Sequence, residues 1–269
     1  MRVSVITVNL NDLKGLKATV ESVIGQTYVD FEYIVVDGAS TDGSKEYIAG
    51  TERIDQWMSE PDTGIYNAMN KAIALAHGDY CIFMNAGDTF YDSKVLEEVV
   101  PQLDDADFYV GATFVMAESK NFLKEALKVP LDLKTMLTCM PCHQSTFTRT
   151  ALLKERCYRE DLKIISDWEM FFHCYYFHDG NSYVPMKTTV SVFHYNGLSW
   201  VCREKVSEEV KQVALEVFPK RIVQHILHKE GLEKKIEVAM AKSPLARDWK
   251  LIRNAFKYLI KDIFVALKP

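Results

Sequence analysis

An α/β fold on a mostly parallel central sheet flanked by helices is predicted from three features of the sequence. β-branched runs alternate with stretches of helical apolar spacing through residues 1–100. Each run closes in a cluster of Asn, Asp, Gly or Ser. The segments between runs are long enough to carry the helix that a right-handed parallel crossover needs.

The first strand is expected over 2–8, RVSVITV, ended by Asn9, with Asn11 and Asp12 capping the next helix. Leu13, Leu16, Val20, Val23 and Ile24 recur at helical spacing, and Gly25 supplies the C-cap. FEYIVV (31–36) is a second strand ending in Asp37-Gly38. The turn-rich ASTDGS and a short helix to Ile48 follow, and a third strand is placed near 54–58. Pro61 and Gly64 break the chain before a helical stripe of Ile65, Met69, Ala72, Ile73 and Ala76, closed by Gly78. YCIFMNAGDTF (80–90) is an apolar run ending in Asn85, Ala86, Gly87 and Asp88. It reads as a buried strand delivering its carboxyl end to the edge where open α/β sheets bind ligands. The simpler use of Asp88 is an Asx-type turn onto its own backbone. A helix over 93–100 capped by Ser93 and a strand over 107–117, with Gly111 as a bend or bulge, come next. After Pro130 the pattern is less regular: strand-like HQSTFT (143–148), an aromatic helix over 167–177, strand–turn–strand over 182–197, and an amphipathic helix over 207–218.

Composition narrows the function classes. A length of 269 residues and a hydrophobic share of 48% suit one packed domain, or one domain with an appendage. The net charge of −5 gives no footing for nucleic acid. The charge is uneven: residues 242–269 hold seven basic and two acidic residues, a net +5 against about −10 for the rest. VSVITV is too short for a signal-peptide core, and no long charge-free window suggests a spanning helix, so a cytoplasmic chain is expected. The six cysteines are irregularly spaced and read as free thiols. CMPCH (139–143) matches a haem-attachment pattern, but without an export signal or a second C-x-x-C neither haem nor zinc is expected.

The strand ends collect Thr7, Asn9, Asp37, Asp62 and Asp88 on one edge of the sheet. Carboxylates beside backbone turns suit a sugar nucleotide. One can accept from a base or ribose, and another can hold a divalent cation that neutralises a diphosphate. No G-x-G-x-x-G and no Walker A loop is present, which argues against a dinucleotide dehydrogenase and an NTPase.

VSVITVNLND, VVDGASTDGS, SEPDTGIYNAMNKAIALAHGDY and FMNAGD resemble the successive motifs of family 2 glycosyltransferases. HQSTF, ISDWEMFF and VFHYNGLSW resemble that family's acceptor half, in the branch of bacterial polysaccharide clusters that includes colanic acid-type enzymes. The resemblance covers roughly residues 2–200. It implies a GT-A nucleotide-diphospho-sugar transferase fold with a Rossmann-like sheet. The domain would span 1–203, with a nucleotide-sugar half (1–100) and an acceptor half (101–203), followed by a helical extension over 204–269. By resemblance, Thr7, Asn9 and Asp37 contact the nucleoside and Asp62 lies near base or ribose. Asn70, Lys71, Asn85 and Gly87 complete the nucleotide-sugar side. NAGD replaces the more acidic D-x-D-type metal motif, leaving Asp88 as its one carboxylate for Mn²⁺ or Mg²⁺, with His194 as a second ligand. His143 and Gln144 would position the acceptor or the diphosphate. Asp167 stands at the general base, although taken alone it reads as a helix N-cap. Trp168, Phe171, Phe172, Tyr175 and Tyr176 read as helix core, and Trp200 as a sugar platform or a packing residue.

The family's processive members carry Q-x-x-R-W after the base, and this chain does not. The expectation is a non-processive inverting transferase that moves a sugar from a UDP-sugar to a saccharide or lipid-linked saccharide acceptor in cell-surface polysaccharide synthesis. A sugar nucleotidyltransferase is disfavoured because VNLNDLKGLK lacks a Gly-rich basic loop. A non-catalytic nucleotide-sugar binder is the rival that Asn85 and Gly87 motivate. Over 244–268 a basic amphipathic helix suits contact with the inner face of the membrane, or packing against the body or a second subunit in a homodimer.

Overall fold

The structure, a computed structural model, describes residues 2–117, 120–177, 182–194 and 202–227. The expected amphipathic tail (244–268) and Trp200 lie outside the described residues. The chain forms two compact units, residues 1–213 and 214–269.

The first unit is organised by one sheet. β1 (Val3–Asn9) pairs in parallel with β2 (Phe31–Asp37) on one side and β4 (Tyr80–Phe83) on the other, and β3 (Gln56–Ser59) adds to β2 in parallel. Both β1 and β2 are buried at all seven positions, because helices cover both faces. Val3, Val5, Tyr33 and Val35 pack with Leu16, Val20 and Val23 of α1 (Leu13–Ile24). α3 (Ile65–Leu75) runs against β1 and β2 and buries Met69, Ala72 and Ile73. α1 is capped as expected, with Asp12 accepting from the Gly15 amide and Gly25 closing the far end.

Beyond β4 the sheet changes character. Its order runs β3-β2-β1-β4, then β8 (Thr146–Arg149), β6 (Phe108–Met116), β9 (Tyr183–His194) and β5 (Thr89–Phe90), with β7 (Phe122–Lys124) beside β6. β8 (Thr146–Arg149) is antiparallel to both β4 and β6 (Phe108–Met116). The parallel pairing of the expected mostly parallel sheet lies in its first four strands and in the pair of β6 with β9 (Tyr183–His194). β9 is one twelve-residue strand where strand–turn–strand was expected. The irregularity lies on β9 itself: while β6 advances from Val110 to Thr113 its partner advances from Pro185 to Ser191, so the extra residues expected at Gly111 sit on the opposite strand, and a Cβ on Gly111 would meet the Thr188 carbonyl oxygen at 2.7 Å. α4 (Val95–Val99) starts two residues later than expected: Asp92 accepts from the Lys94 amide, while the Ser93 carbonyl receives Thr27. The irregular sequence hid α2's short successors: β5 (Thr89–Phe90), β7 (Phe122–Lys124), α5 (Leu133–Thr138) and α6 (Thr150–Arg156); α2 itself spans Ser44–Ala49. α7 (Ser166–Phe177) and α8 (Arg203–Val217) complete the described elements. No helix among the described residues is long and apolar enough to cross a membrane. The six cysteines are free thiols.

The end of the sheet opposite the strand-end carboxylates is tied by Glu32 of β2. Its carboxylate accepts from Ser4 Oγ (2.6 Å), the His77 amide (2.8 Å) and Gln56 Nε2 (2.7 Å), joining β1, β3 and the end of the α3 connection. Burial pushes its pKa up, but these hydrogen bonds outweigh that and lower it to about 2. A depressed carboxylate adds stability above its unfolded pKa and loses it as pH falls toward the folded value. The window here runs from about 4.5 to about 2, and the full effect is on the order of 3 kcal/mol. Glu32→Gln is expected to lower the urea midpoint at pH 7 and to flatten its decline across that window. An acid limb as steep as the parent's would show that Glu32 does not drive it.

Candidate active site

At the carboxyl ends of β1, β2 and β3, Asp37 is the organiser. It is fully buried, and its oxygens accept from Asn9 Nδ2 (2.9 Å), the Ser40 amide (2.9 Å), Ser40 Oγ (2.6 Å) and Ser59 Oγ (2.8 Å). Burial raises its pKa and the four donors bring it below the usual carboxylate value, so it is held ionised. Asp62 accepts from the Gly64 amide (2.9 Å) and crosses directly over Gly38, where an added Cβ would meet its Oδ2 at 2.4 Å. Asn9, Asp37, Gly38 and Asp62 thus form one ledge. Thr7 does not join it: it is buried two residues short of the strand end, with Oγ1 3.0 Å from the Tyr33 hydroxyl.

NAGD follows β4 and is pinned from α1. Thr19 Oγ1 donates to the Asp88 carbonyl (2.7 Å) and accepts from the Gly87 amide (3.0 Å). The Asp88 amide donates to the Asn85 carbonyl (2.8 Å). Gly87 has φ +96°, a backbone setting that glycine adopts without strain. These contacts turn the Asp88 side chain inward instead of back onto the turn.

His143 stands in a single 3-10 turn just before β8. Its Nδ1 lies 3.1 Å from Asp167 Oδ2 and its Nε2 3.7 Å from Asp88 Oδ2. Burial disfavours charge on the ring, but the hydrogen bonds and charges of Asp167 and Asp88 win and raise its pKa to about 10. The ring is therefore an imidazolium at neutral pH, with a donor at each nitrogen. Asn85's amide, 3.2 Å from Nε2, must turn its oxygen toward that donor, which also supplies a partner for its buried Oδ1. Gln144 Nε2 reaches Asp88 Oδ1 at 3.4 Å.

Asp167 lies in the first turn of α7. Its other oxygen, Oδ1, accepts from the Tyr66 hydroxyl at 2.9 Å. Burial raises its pKa, and His143 with Tyr66 more than reverses this, so Asp167 is ionised. The approach to α7 is fixed by Glu209 of α8, which accepts from the amides of Lys163, Ile164 and Ile165. Asn70 and Lys71 are engaged elsewhere. Asn70 exchanges two hydrogen bonds with the Tyr158 backbone, and Lys71 holds Glu60 (2.8 Å) and the Pro61 carbonyl (2.9 Å). Both clamp loops around the site instead of facing it. Trp168 and Phe172 stack in the core as expected.

A cavity of about 230 Å³ brings Asn85, Asp88, His143, Gln144 and Asp167 together under a wall that includes Ile65, Tyr66 and Phe193. Phe193 precedes His194, the last residue of β9; the His194 side chain lies outside what is described. Sequence reading missed Tyr66, Thr19 and Glu209. Tyr66 sits within an apolar helical stripe, and the other two lie on helices that read as ordinary amphipathic surface.

The profile of Glycosyl transferase family 2 matches residues 4–175. The chain belongs to this family. An uncharacterized glycosyltransferase of Mycobacterium tuberculosis is 46% identical over 103 residues, which cover 38% of this chain and 39% of that one. A PGL/p-HBAD biosynthesis glycosyltransferase of Mycobacterium bovis is 30% identical over 180 residues, 64% of this chain and 69% of the relative. The first match thus spans about two fifths of its relative's length. S. aureus TarS 1–349, solved with UDP-GlcNAc, superposes with a TM-score of 0.63 at 18% identity, covering 84% of this chain and 70% of TarS. The Pyrobaculum calidifontis mannosyltransferase PcManGT, solved with GDP-Man and Mn²⁺, gives 0.61 at 19% identity over 96% and 80%. This glycosyltransferase therefore has the GT-A fold.

Among the described residues of the glycosyltransferase, no group of three or more His, Cys, Asp or Glu could hold a metal by itself. Asp88 is a hard oxygen donor on the cavity wall. One carboxylate suits a Mg²⁺- or Mn²⁺-like ion that takes its remaining ligands from water and substrate phosphates. The residues fit a cation held jointly with a diphosphate.

Gly38→Ala is expected to push Asp62 off its ledge and cost about 1–3 kcal/mol of stability in urea unfolding. A variant with parent stability would show that Asp62 moves aside freely.

Proposed function

We propose that this glycosyltransferase is an inverting, non-processive enzyme. It transfers a sugar from a nucleotide-diphosphate donor, a UDP-sugar first among them, to a saccharide or lipid-linked saccharide acceptor in cell-surface polysaccharide synthesis. One observation carries the reading: an ionised Asp167 and the carboxylate of Asp88 line one cavity, with His143 between them.

The nucleoside rests on the ledge of Asn9, Asp37 and Asp62, where ionised Asp37 keeps the strand ends in register. The diphosphate then lies over NAGD, with Gly87 allowing close approach of the backbone. Asp88, with His194 as the second ligand expected from the sequence, would hold a divalent cation, Mn²⁺ or Mg²⁺, which when bound would neutralise charge developing on the leaving diphosphate. Asp167 takes the proton of the acceptor hydroxyl as its oxygen attacks the anomeric carbon and the bond to the diphosphate breaks on the opposite face. His143, which bridges Asp167 and Asp88, and Gln144, which reaches Asp88, position the acceptor or the diphosphate. Support for a nucleotide-sugar donor comes from the fold shared with proteins solved with UDP-GlcNAc and with GDP-Man and Mn²⁺.

Asp167→Asn is expected to lower release of nucleoside diphosphate by about 10²–10⁴-fold, the usual weight of a general base. The assay is run with Mn²⁺ over a panel of UDP-glucose, UDP-N-acetylglucosamine and GDP-mannose. Thermal stabilisation by UDP or GDP should stay at the parent level. Full release by the variant would remove Asp167 from the mechanism.

A further inference from the structure

We propose that Tyr66 is a positioning residue for the general base, and that α3 thereby sets the distance between the donor ledge and the acceptor hydroxyl. The proposal rests on the assignment of Asp167 as base.

Tyr66 is buried, 6% exposed, in the first turn of α3, and its hydroxyl donates to Asp167 Oδ1 at 2.9 Å across 101 residues of sequence. His143 holds the other oxygen at 3.1 Å. A carboxylate with one donor on each oxygen has its plane fixed, and each oxygen keeps acceptor capacity at the cavity that Asp167 lines. One donor alone would leave the group free to rotate about its Cβ–Cγ bond. Burial and the neighbouring Asp167 charge keep the phenol protonated, so it is always the donor of this pair.

What Tyr66 ties Asp167 to gives the contact its use. α3 begins immediately after Pro61–Gly64, the loop that carries Asp62 over Gly38. The same helix is clamped to the segment leading into α7 at a second point, where Asn70 exchanges two hydrogen bonds with the Tyr158 backbone and bonds Glu160 at 3.2 Å. The Tyr66 ring also packs on Tyr158, centroids 5.6 Å apart. The base thus rides on the element that follows the donor loop, and not only on its own helix. Such coupling makes sense for a transfer in which a proton acceptor must sit near 3 Å from an attacking oxygen, because small misplacements cost large factors in rate.

Tyr66→Phe keeps the ring and its packing and removes only the hydroxyl. Release of nucleoside diphosphate is followed with Mn²⁺ and whichever of UDP-glucose, UDP-N-acetylglucosamine and GDP-mannose the parent chain hydrolyses. A fall in kcat of about ten- to hundredfold is expected, with KM for the donor within about twofold and melting temperature near the parent's. The acid limb of the kcat/KM profile should move to higher pH, because Asp167 loses a donor that stabilises its ionised form. A merely structural tyrosine would lower the melting temperature and leave that limb in place. Parent kcat with an unmoved limb in Tyr66→Phe overturns the proposal. If Asp167→Asn is inactive in the same assay, that outcome leaves the base assignment standing; if Asp167→Asn is also fully active, the base assignment itself has failed.

Discussion

A positive charge between two negative ones holds this site together. Asp88 ends the NAGD turn after β4, and Asp167 begins α7, so the two carboxylates come from halves of the fold with no local reason to meet. Two carboxylates in one cavity disfavour each other's charge unless a cation lies between them. His143 does so, raised to a pKa of about 10 by the pair it joins. The consequence reaches beyond the ring. It helps hold Asp167 ionised, reaches the Asn85 amide at 3.2 Å, and stands in the 3-10 turn just before β8.

The sheet explains why this contact forms there. Four parallel strands with helices on both faces direct Asn9, Asp37 and Asp62 to one edge, as any doubly covered parallel sheet does. The antiparallel insertion of β8 next to β4 then carries His143 and Gln144 to the same edge from the second half of the chain. α7, anchored by Glu209 and by the pairing of Arg156 with Glu169 at 2.5 Å, brings Asp167 in last. The donor side is a property of strand ends and the acceptor side a property of packing between helices.

That division also marks what the sequence made legible. Asp37, Asp62 and Asp88 close apolar runs, and a short run ending in Gly and Asp is visible without a structure. Gly25 and Asp12 were legible for the same reason, since each sits at a position defined by its neighbours, whereas the irregularity read at Gly111 lies on β9 opposite it. Tyr66 was not, because its partner is 101 residues away and its own surroundings are an apolar helical stripe. Asn70 and Lys71 were assigned to the donor side since polar residues on a helix near a motif carry no mark of which way they face. The structure gives them the Tyr158 backbone and Glu60 instead. Thr7 was one turn of reasoning too generous: strand alternation puts it on the same face as Asn9, but two residues deeper, where Tyr33 receives it. β8 was legible as strand-like HQSTFT but not its antiparallel direction, and β5 and β7, two and three residues long, are too brief for periodicity to distinguish from a loop.

The bridging imidazolium is open to direct measurement. In the metal-free chain, the ring nitrogens of His143, assigned by comparison with His143→Asn, can be followed by long-range ¹H–¹⁵N correlation from pH 6 to 10. With Asp88 and Asp167 both holding it, His143 should show two imidazolium-like nitrogens at pH 8 and begin to lose its proton only as the pH approaches 10. A His143 already neutral at pH 8, with one bare ring nitrogen, would contradict the account, because the two carboxylates would then have to coexist without the charge that joins them.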